Sequence, residues 1–163
     1  MSTRIVVTAD THVPDFAREL PPSLLRAIRR TDLVLHAGDV TSPEVLDTLA
    51  MQAPVRVALG NNDGPGVAEW GATPDVGLEV EGLAIAMVHD AGRREGRERR
   101  LARAFPHARL VVFGHSHVPM LTELEGRRFL NPGSPTWKRR QPAPTYAVVW
   151  VASGRPRFRI VEM

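Results

Sequence analysis

Five short polar segments carry the residues in this chain that could do chemistry: Asp10-Thr11-His12, Gly38-Asp39, Gly60-Asn61-Asn62-Asp63, His89-Asp90 and Gly114-His115-Ser116-His117. Imidazoles, carboxylates and carboxamides in one set are metal ligands. With no cysteine in the chain they suit Mn, Fe, Ni, Zn or Mg rather than a thiolate-bound metal. Gathered at one place, Asp10, His12, Asp39, Asn61, His89, His115 and His117 would suffice for two cations. Two metals about 3.5–4 Å apart can hold a bridging hydroxide, polarise a phosphoryl oxygen and stabilise both ends of an in-line displacement. Asp39, with two carboxylate oxygens, can serve two cations at once, which no imidazole does.

Spacing supports convergence. In an extended segment residues i and i+2 point to one side, so Asp10 can share a point with His12, and His115 with His117. Glycines 38, 60 and 114 are expected to let the backbone turn sharply just before the ligands.

The elements that must position these residues are readable from hydrophobic patterning. Residues 4–9, 33–37 and 55–59 read as buried strands that stop at the first three polar segments. Between them, Leu24, Leu25 and Ile28 repeat at helical spacing over 22–30. Ser42-Pro43-Glu44 is a helix start, with a cap hydroxyl, a proline where no N–H is needed and an acid in the first turn. Alternating strands and helices predict α/β layering with a largely parallel first sheet. Strands at 76–80 and 83–88 flank a hairpin turn at Glu81-Gly82, an Arg-rich helix is expected at 93–105, and a strand at 110–113 leads into the last polar segment. The tail reads as strands at 119–124, 127–130, 144–152 and 156–162. Five strand ends thus carry the polar segments, and ligands in open α/β sheets sit beyond the carboxyl ends of strands.

Other residues read as structural. His36 lies inside a strand, as a packed residue or one that orients a ligand. His107 sits at a helix end, where a cation suits the macrodipole. The arginines from Arg93 to Arg103 form a solvated helix face, with Arg93 or Arg94 the candidates for steering phosphate. Trp70, Trp137 and Trp150 read as packing residues. The 163 residues fit one domain, 1–163. No secretory leader or membrane-length apolar run is present, so a soluble cytoplasmic protein is expected. A net charge of +3 and no long basic groove argue against a nucleic-acid polymer as partner and are compatible with a small anionic ligand such as a phosphate ester. A homo-oligomer through exposed strands or helices is compatible with the sequence.

With these five blocks in this order, the sequence resembles the calcineurin-like metallophosphoesterase superfamily, most of all its small single-domain phosphodiesterase branch in bacteria and archaea. The resemblance runs from residue 4 to about 140 and includes Asn131-Pro132-Gly133-Ser134. It implies a four-layer α/β/β/α sandwich, two facing mixed sheets flanked by helices, and phosphodiester hydrolysis by a bridging hydroxide on a dinuclear Mn2+, Ni2+, Fe2+ or Zn2+ centre. It also implies the ligand sets: Asp10, His12, Asp39 and His117 for one metal, and Asp39, Asn61, His89 and His115 for the other. Asp39, Asn62 and His89 would be the catalytic residues, Asn62 contacting the phosphate or the leaving oxygen. Two departures stand out. Larger members carry a histidine where this chain has Asn62, which has no proton to give near neutral pH, so slow turnover and a preference for acidic leaving groups are expected. The family's His-Gly is here His89-Asp90. The alternatives are a phosphomonoesterase with the same site and a non-catalytic protein-interaction scaffold, a use to which a retromer subunit puts this fold.

Overall fold

The computed structural model describes residues 1–163. The elements are β1 (Thr3–Thr8), α1 (Pro22–Ile28), β2 (Leu33–His36), α2 (Pro43–Ala50), β3 (Val55–Val57), α3 (Pro65–Trp70), β4 (Asp75–Val80), β5 (Leu83–Val88), α4 (Arg97–Ala104), β6 (Leu110–Val112), β7 (Met120–Leu124), β8 (Arg127–Asn131), β9 (Thr145–Ala152) and β10 (Arg155–Glu162). They form two five-stranded mixed sheets, ordered β10-β9-β1-β2-β3 and β4-β5-β6-β8-β7. In the first, β1, β2 and β3 run parallel, and β9 returns antiparallel beside β1. In the second, β5, β6 and β8 are parallel, with β4 and β7 antiparallel at the edges.

Side-chain alternation explains the stacking. Ile5, Val7 and Ala9 of the first sheet meet Leu83, Ile85 and Met87 of the second in a buried layer between the sheets. The intervening residues point outward. Val6, Val34 and Val148 pack under Leu24 and Ile28 of α1, Leu46 and Leu49 of α2 and Val67 of α3. Ala86, Val111 and Phe129 pack under Leu101 of α4. Each large buried side chain contributes on the order of 1.5–3 kcal/mol. The result is the expected helix–sheet–sheet–helix sandwich.

Three local expectations change. Ser42 does not cap α2; its hydroxyl donates instead to the Glu44 carboxylate. The Arg-rich helix begins at Arg97 rather than 93, because Gly96 is left-handed (φ 66°) and Arg100 reaches back to the carbonyls of Ala91, Arg93 and Glu95. Residues 65–70, which carry no amphipathic repeat, form the short helix α3 behind Pro65. No helix is long and apolar enough to cross a membrane.

Candidate metal centre

All five polar segments meet at one end of the sandwich. The loops after β1 and β2 are laced together, since Asp10 N–H donates to the Gly38 carbonyl (2.9 Å) and His12 N–H to that of Asp39 (3.1 Å). The loops after β5 and β6 join through Gly114 N–H and the His89 carbonyl (2.9 Å). The two sheets are then tied to each other, because His115 N–H donates to Asp10 Oδ2 at 2.9 Å.

The backbone geometry differs from the extended reading. Asp10, His12, Asp39, His115 and His117 all sit at left-handed φ, between 43° and 70°. Each such non-glycine residue costs roughly 1–2 kcal/mol, and the lacing holds them there. Asp10 and His12 do share a point, but through this coiled path and not through strand alternation. His115 and His117 do not share one: they turn to different groups. The glycines divide as well. Gly38 is left-handed (φ 93°), whereas Gly60 and Gly114 are needed for close approach. A Cβ on Gly60 would lie 2.2 Å from Asp39 N and Oδ1, and one on Gly114 would lie 2.9 Å from Ala9 Cβ and 3.0 Å from Asp10 Oδ2.

Two groups of candidate ligands result, Asp10–His12–His117 and Asp39–His89–His115. In the first, His117 Nε2 and His12 Nε2 lie 3.5 and 3.9 Å from Asp10 Oδ1. His117 Nδ1 donates to the Trp137 carbonyl (2.6 Å), so its Nε2 presents a lone pair. Asp10 Oδ1, His12 Nε2 and His117 Nε2 are all buried, and none has a hydrogen-bond partner. Three converging buried polar atoms without a partner are costly unless a cation sits among them. In the second group, His89 Nδ1 donates to the Ala37 carbonyl (2.7 Å), which turns Nε2 toward Asn61 Oδ1 (2.9 Å) and His115 Nδ1 (3.3 Å). Asp39 stands between the groups: its Oδ2 is 3.5 Å from His12 Nε2 and 3.4 Å from His89 Nε2. Hard carboxylate oxygens with imidazole nitrogens suit divalent first-row cations.

Burial and charge split the two carboxylates. Burial, together with the Asp39 charge, pushes the Asp10 carboxyl up to about 7 despite the opposing pull of His89. Burial would also raise Asp39, but the His89 imidazole and two hydrogen bonds from Asn62 outweigh it and hold the group below the usual carboxylate range. Burial lowers His12, and it pulls His117 down to about 4, offset only in part by the bond to Trp137. His89 is the exception. Burial alone would lower it, but Asp39 and Asp10 raise it.

Asn62 lies at the site but faces Asp39: its N–H donates to Oδ1 (2.9 Å) and its Nδ2 to Oδ2 (2.8 Å). One of the two side-chain N–H donors is spent on the carboxylate, and the other has no protein partner. Asp90 has no left-handed φ and caps the Gly92 N–H (2.7 Å), so it stands in the glycine's place without strain. His36 is fully buried, its Nε2 facing Thr11 Oγ1 (3.0 Å) and its Nδ1 accepting from Gly38 N–H (3.2 Å); it braces two ligand loops. Arg93 and Arg94 are exposed, and no side-chain bond ties them to the cluster.

Several supporting residues had no such role assigned from the sequence. Asp63 Oδ2 accepts N–H from Asp39 (3.0 Å) and Gly60 (2.7 Å), and its Oδ1 accepts from Thr41 (2.8 Å). A polar residue three positions after a strand-end glycine was the available signal. The Asn131–Ser134 segment acts as a brace. Asn131 Nδ2 donates to the Gly114 carbonyl (3.0 Å), and Ser134 Oγ donates to that of Asp10 (2.8 Å). Trp137 is more than packing: its ring meets His12 and His117 edge-on.

The family model described as "Calcineurin-like phosphoesterase superfamily domain" matches residues 3–154. A probable metallophosphoesterase of Methanothermobacter thermautotrophicus is 39% identical over 139 residues, 83% of this chain and 78% of the relative. A second, from Methanocaldococcus jannaschii, is 33% identical over 138 residues, 83% and 69% of the two chains. Among solved structures, a Thermotoga maritima protein determined by NMR in solution superimposes with a TM-score of 0.78 at 31% identity, covering 99% of each chain. Wild-type Vps29 of Entamoeba histolytica, complexed with zinc, gives 0.76 at 23% identity over 98% of each chain, a likeness of fold alone.

Proposed function

The chain belongs to the calcineurin-like phosphoesterase superfamily, and from that premise we propose that residues 1–163 act as one domain hydrolysing phosphodiesters at a two-cation centre. One observation carries this reading. The buried polar atoms Asp10 Oδ1, His12 Nε2 and His117 Nε2 are left without partners and adjoin a second group, with Asp39 Oδ2 within 3.5 Å of His12 Nε2 and His89 Nε2. Asp10, His12, Asp39 and His117 would hold one divalent cation; Asp39, Asn61, His89 and His115 the other. Bound there, the cations supply Lewis-acid stabilisation of phosphoryl charge and make water more acidic.

The side chains do the rest. Asp10 and Asp39 offset part of the cationic charge, and Asn62 fixes both oxygens of Asp39. Ala37 and Trp137 carbonyls set the orientation of His89 and His117, as carbonyl partners of metal-binding histidines do. No side chain at the Asn62 position can hand a proton to the departing alcohol, which favours esters whose leaving groups are acidic already. The preference for diesters rests on the likeness to the small phosphodiesterase branch; a monoester would meet the same cluster. The Vps29 likeness offers a scaffold as the second reading, and the complete ligand set favours hydrolysis over it.

Hydrolysis of bis-p-nitrophenyl phosphate, measured after chelation and again after adding Mn2+ or Ni2+, tests the proposal alongside metal analysis. Metal-restored turnover and close to two cations per chain are expected. A protein that takes up metal yet leaves aryl diesters and monoesters intact would overturn it in favour of the scaffold.

A further inference from the structure

Trp137 joins the candidate metal centre to a cation that sequence patterning did not single out. The half-exposed ring of Phe16 stacks on it, centroids 4.6 Å apart and planes 11° from parallel. The Arg139 guanidinium carbon lies over the Trp137 ring, 4.9 Å from its centroid. The same ring touches His12 and His117 at 5.4 and 5.2 Å, and the Trp137 carbonyl accepts the His117 proton. Arg139 is therefore held one side chain away from the first ligand group. It is held in a left-handed conformation (φ 50°) that arginine rarely adopts.

The Trp137 ring thus carries a guanidinium over its face and packs against two candidate ligands. Yet Arg139 pairs with neither Asp10 nor Asp39, and the one arginine–carboxylate ion pair in the chain joins Arg128 to Glu123 elsewhere. The adjacent Lys138 is engaged with the Gln141 carbonyl (2.9 Å). An exposed guanidinium, fixed on an aromatic face and left with its donors free, is arranged for a ligand. With two dications in place and two carboxylates among their ligands, the cluster would carry net positive charge beside the ring that holds Arg139. An anion lying between them turns that repulsion into attraction.

We propose that Arg139 is the anion-recognition residue of this site, its N–H fork taking non-bridging oxygens of a phosphoryl group bound at the cluster, with Trp137 and Phe16 as positioning residues. The proposal rests on the phosphoesterase reading for its substrate. The ligand chemistry follows from the fork, whose parallel donors match the oxygens of phosphate.

The full chain loaded with Mn2+ tests this in two ways: titration calorimetry with inorganic phosphate, and kinetics on bis-p-nitrophenyl phosphate. Arg139→Ala should weaken phosphate binding and raise KM tenfold or more, with metal content unchanged and a smaller change in kcat. Added guanidinium should restore part of the loss. Trp137→Phe, which keeps an aromatic face, should lose less than Trp137→Ala. Unchanged phosphate affinity and KM in metal-loaded Arg139→Ala would overturn the proposal while leaving the hydrolytic reading intact. Arg139-dependent phosphate binding without hydrolysis of any ester would do the reverse. Should the alanine variant lose metal, Arg139→Gln at equal metal loading decides: affinity and KM equal to wild type refute the role.

Discussion

Asp10 and Asp39 are neighbouring carboxylates that the fold treats in opposite ways, and each makes a separate prediction. Asp39 is kept ionised because His89 and the two Asn62 donors outweigh its burial. In Asp39→Asn one oxygen becomes an NH2 facing those same donors, and the position between the two groups is lost. Metal content should fall by at least one cation per chain, and hydrolysis of an aryl diester should drop by about 10³-fold or more, on the scale of losing an electrostatic stabiliser of the transition state. Full metal-dependent turnover in that variant would refute the two-cation centre. Asp10 is pushed the other way, to about 7 from 3.8. In chelated protein the folded state therefore keeps a proton on Asp10 that the unfolded state releases near pH 4. The stability this confers is complete below pH 4 and is lost as pH rises through 7. The shift of roughly three units corresponds to at most about 4 kcal/mol. Asp10→Asn is neutral at every pH and still offers an oxygen to His115 N–H. Without metal it should be more stable than wild type at pH 8, with the gap closing toward pH 4 in urea titrations. A gap that stays constant with pH would contradict the burial argument.

At the scale of the elements, each strand of the parallel pairs contributes by where it stops. β2 and β3 end so close together that Gly60 has no room for a side chain against the backbone of Asp39. Gly60→Ala should cost more than about 3 kcal/mol, since backbone at 2.2 Å cannot step aside as a flexible side chain can, and cation binding should be lost with it. Gly77→Ala is the control: it sits on the edge strand β4 with nothing within 4 Å, and its stability should stay within about 1 kcal/mol of wild type. Similar effects from the two substitutions, read from chemical unfolding, would show that close packing at Gly60 does not position the ligands. This level is also where the sequence informs most and then fails. The strands, the hairpin at Glu81–Gly82 and α1 and α2 announce themselves through local periodicity, as do the five polar strand ends. The left-handed backbone at Asp10, His12, Asp39, His115 and His117 leaves no such mark, because those residue types prefer other conformations and only cross-loop hydrogen bonds hold them there. The helix α3 buries a single side chain, Val67, so it has no repeat to detect. Arg139 reads as one more basic residue in a basic run, since what distinguishes it is a ring packed against ligands far away in the chain.

The whole molecule is two sheets, one under α1, α2 and α3 and the other under α4, meeting along one apolar layer. The candidate ligands are divided between them. Asp10, His12, Asp39 and Asn61 follow β1, β2 and β3 of one sheet, while His89, His115 and His117 follow β5 and β6 of the other. Any cation held by Asp10, His12 and His117, or by Asp39, His89 and His115, therefore joins both sheets. Such a cation also satisfies acceptors that folding otherwise buries without partners. Metal binding should then stabilise the entire cooperative unit and not merely order a loop. Ligand at a hundredfold excess over its Kd adds about 2.7 kcal/mol per site. For a chain of this size each kcal/mol is worth roughly 2–4 °C, so chelated protein should gain about 5–10 °C in Tm per site on adding Mn2+. The gain should appear in one transition by both near-UV and far-UV circular dichroism, and Asp39→Asn should lose most of it. A metal-dependent shift confined to one spectral region, or a second transition appearing on chelation, would mean that the sheets unfold independently and that the centre does not fasten them together.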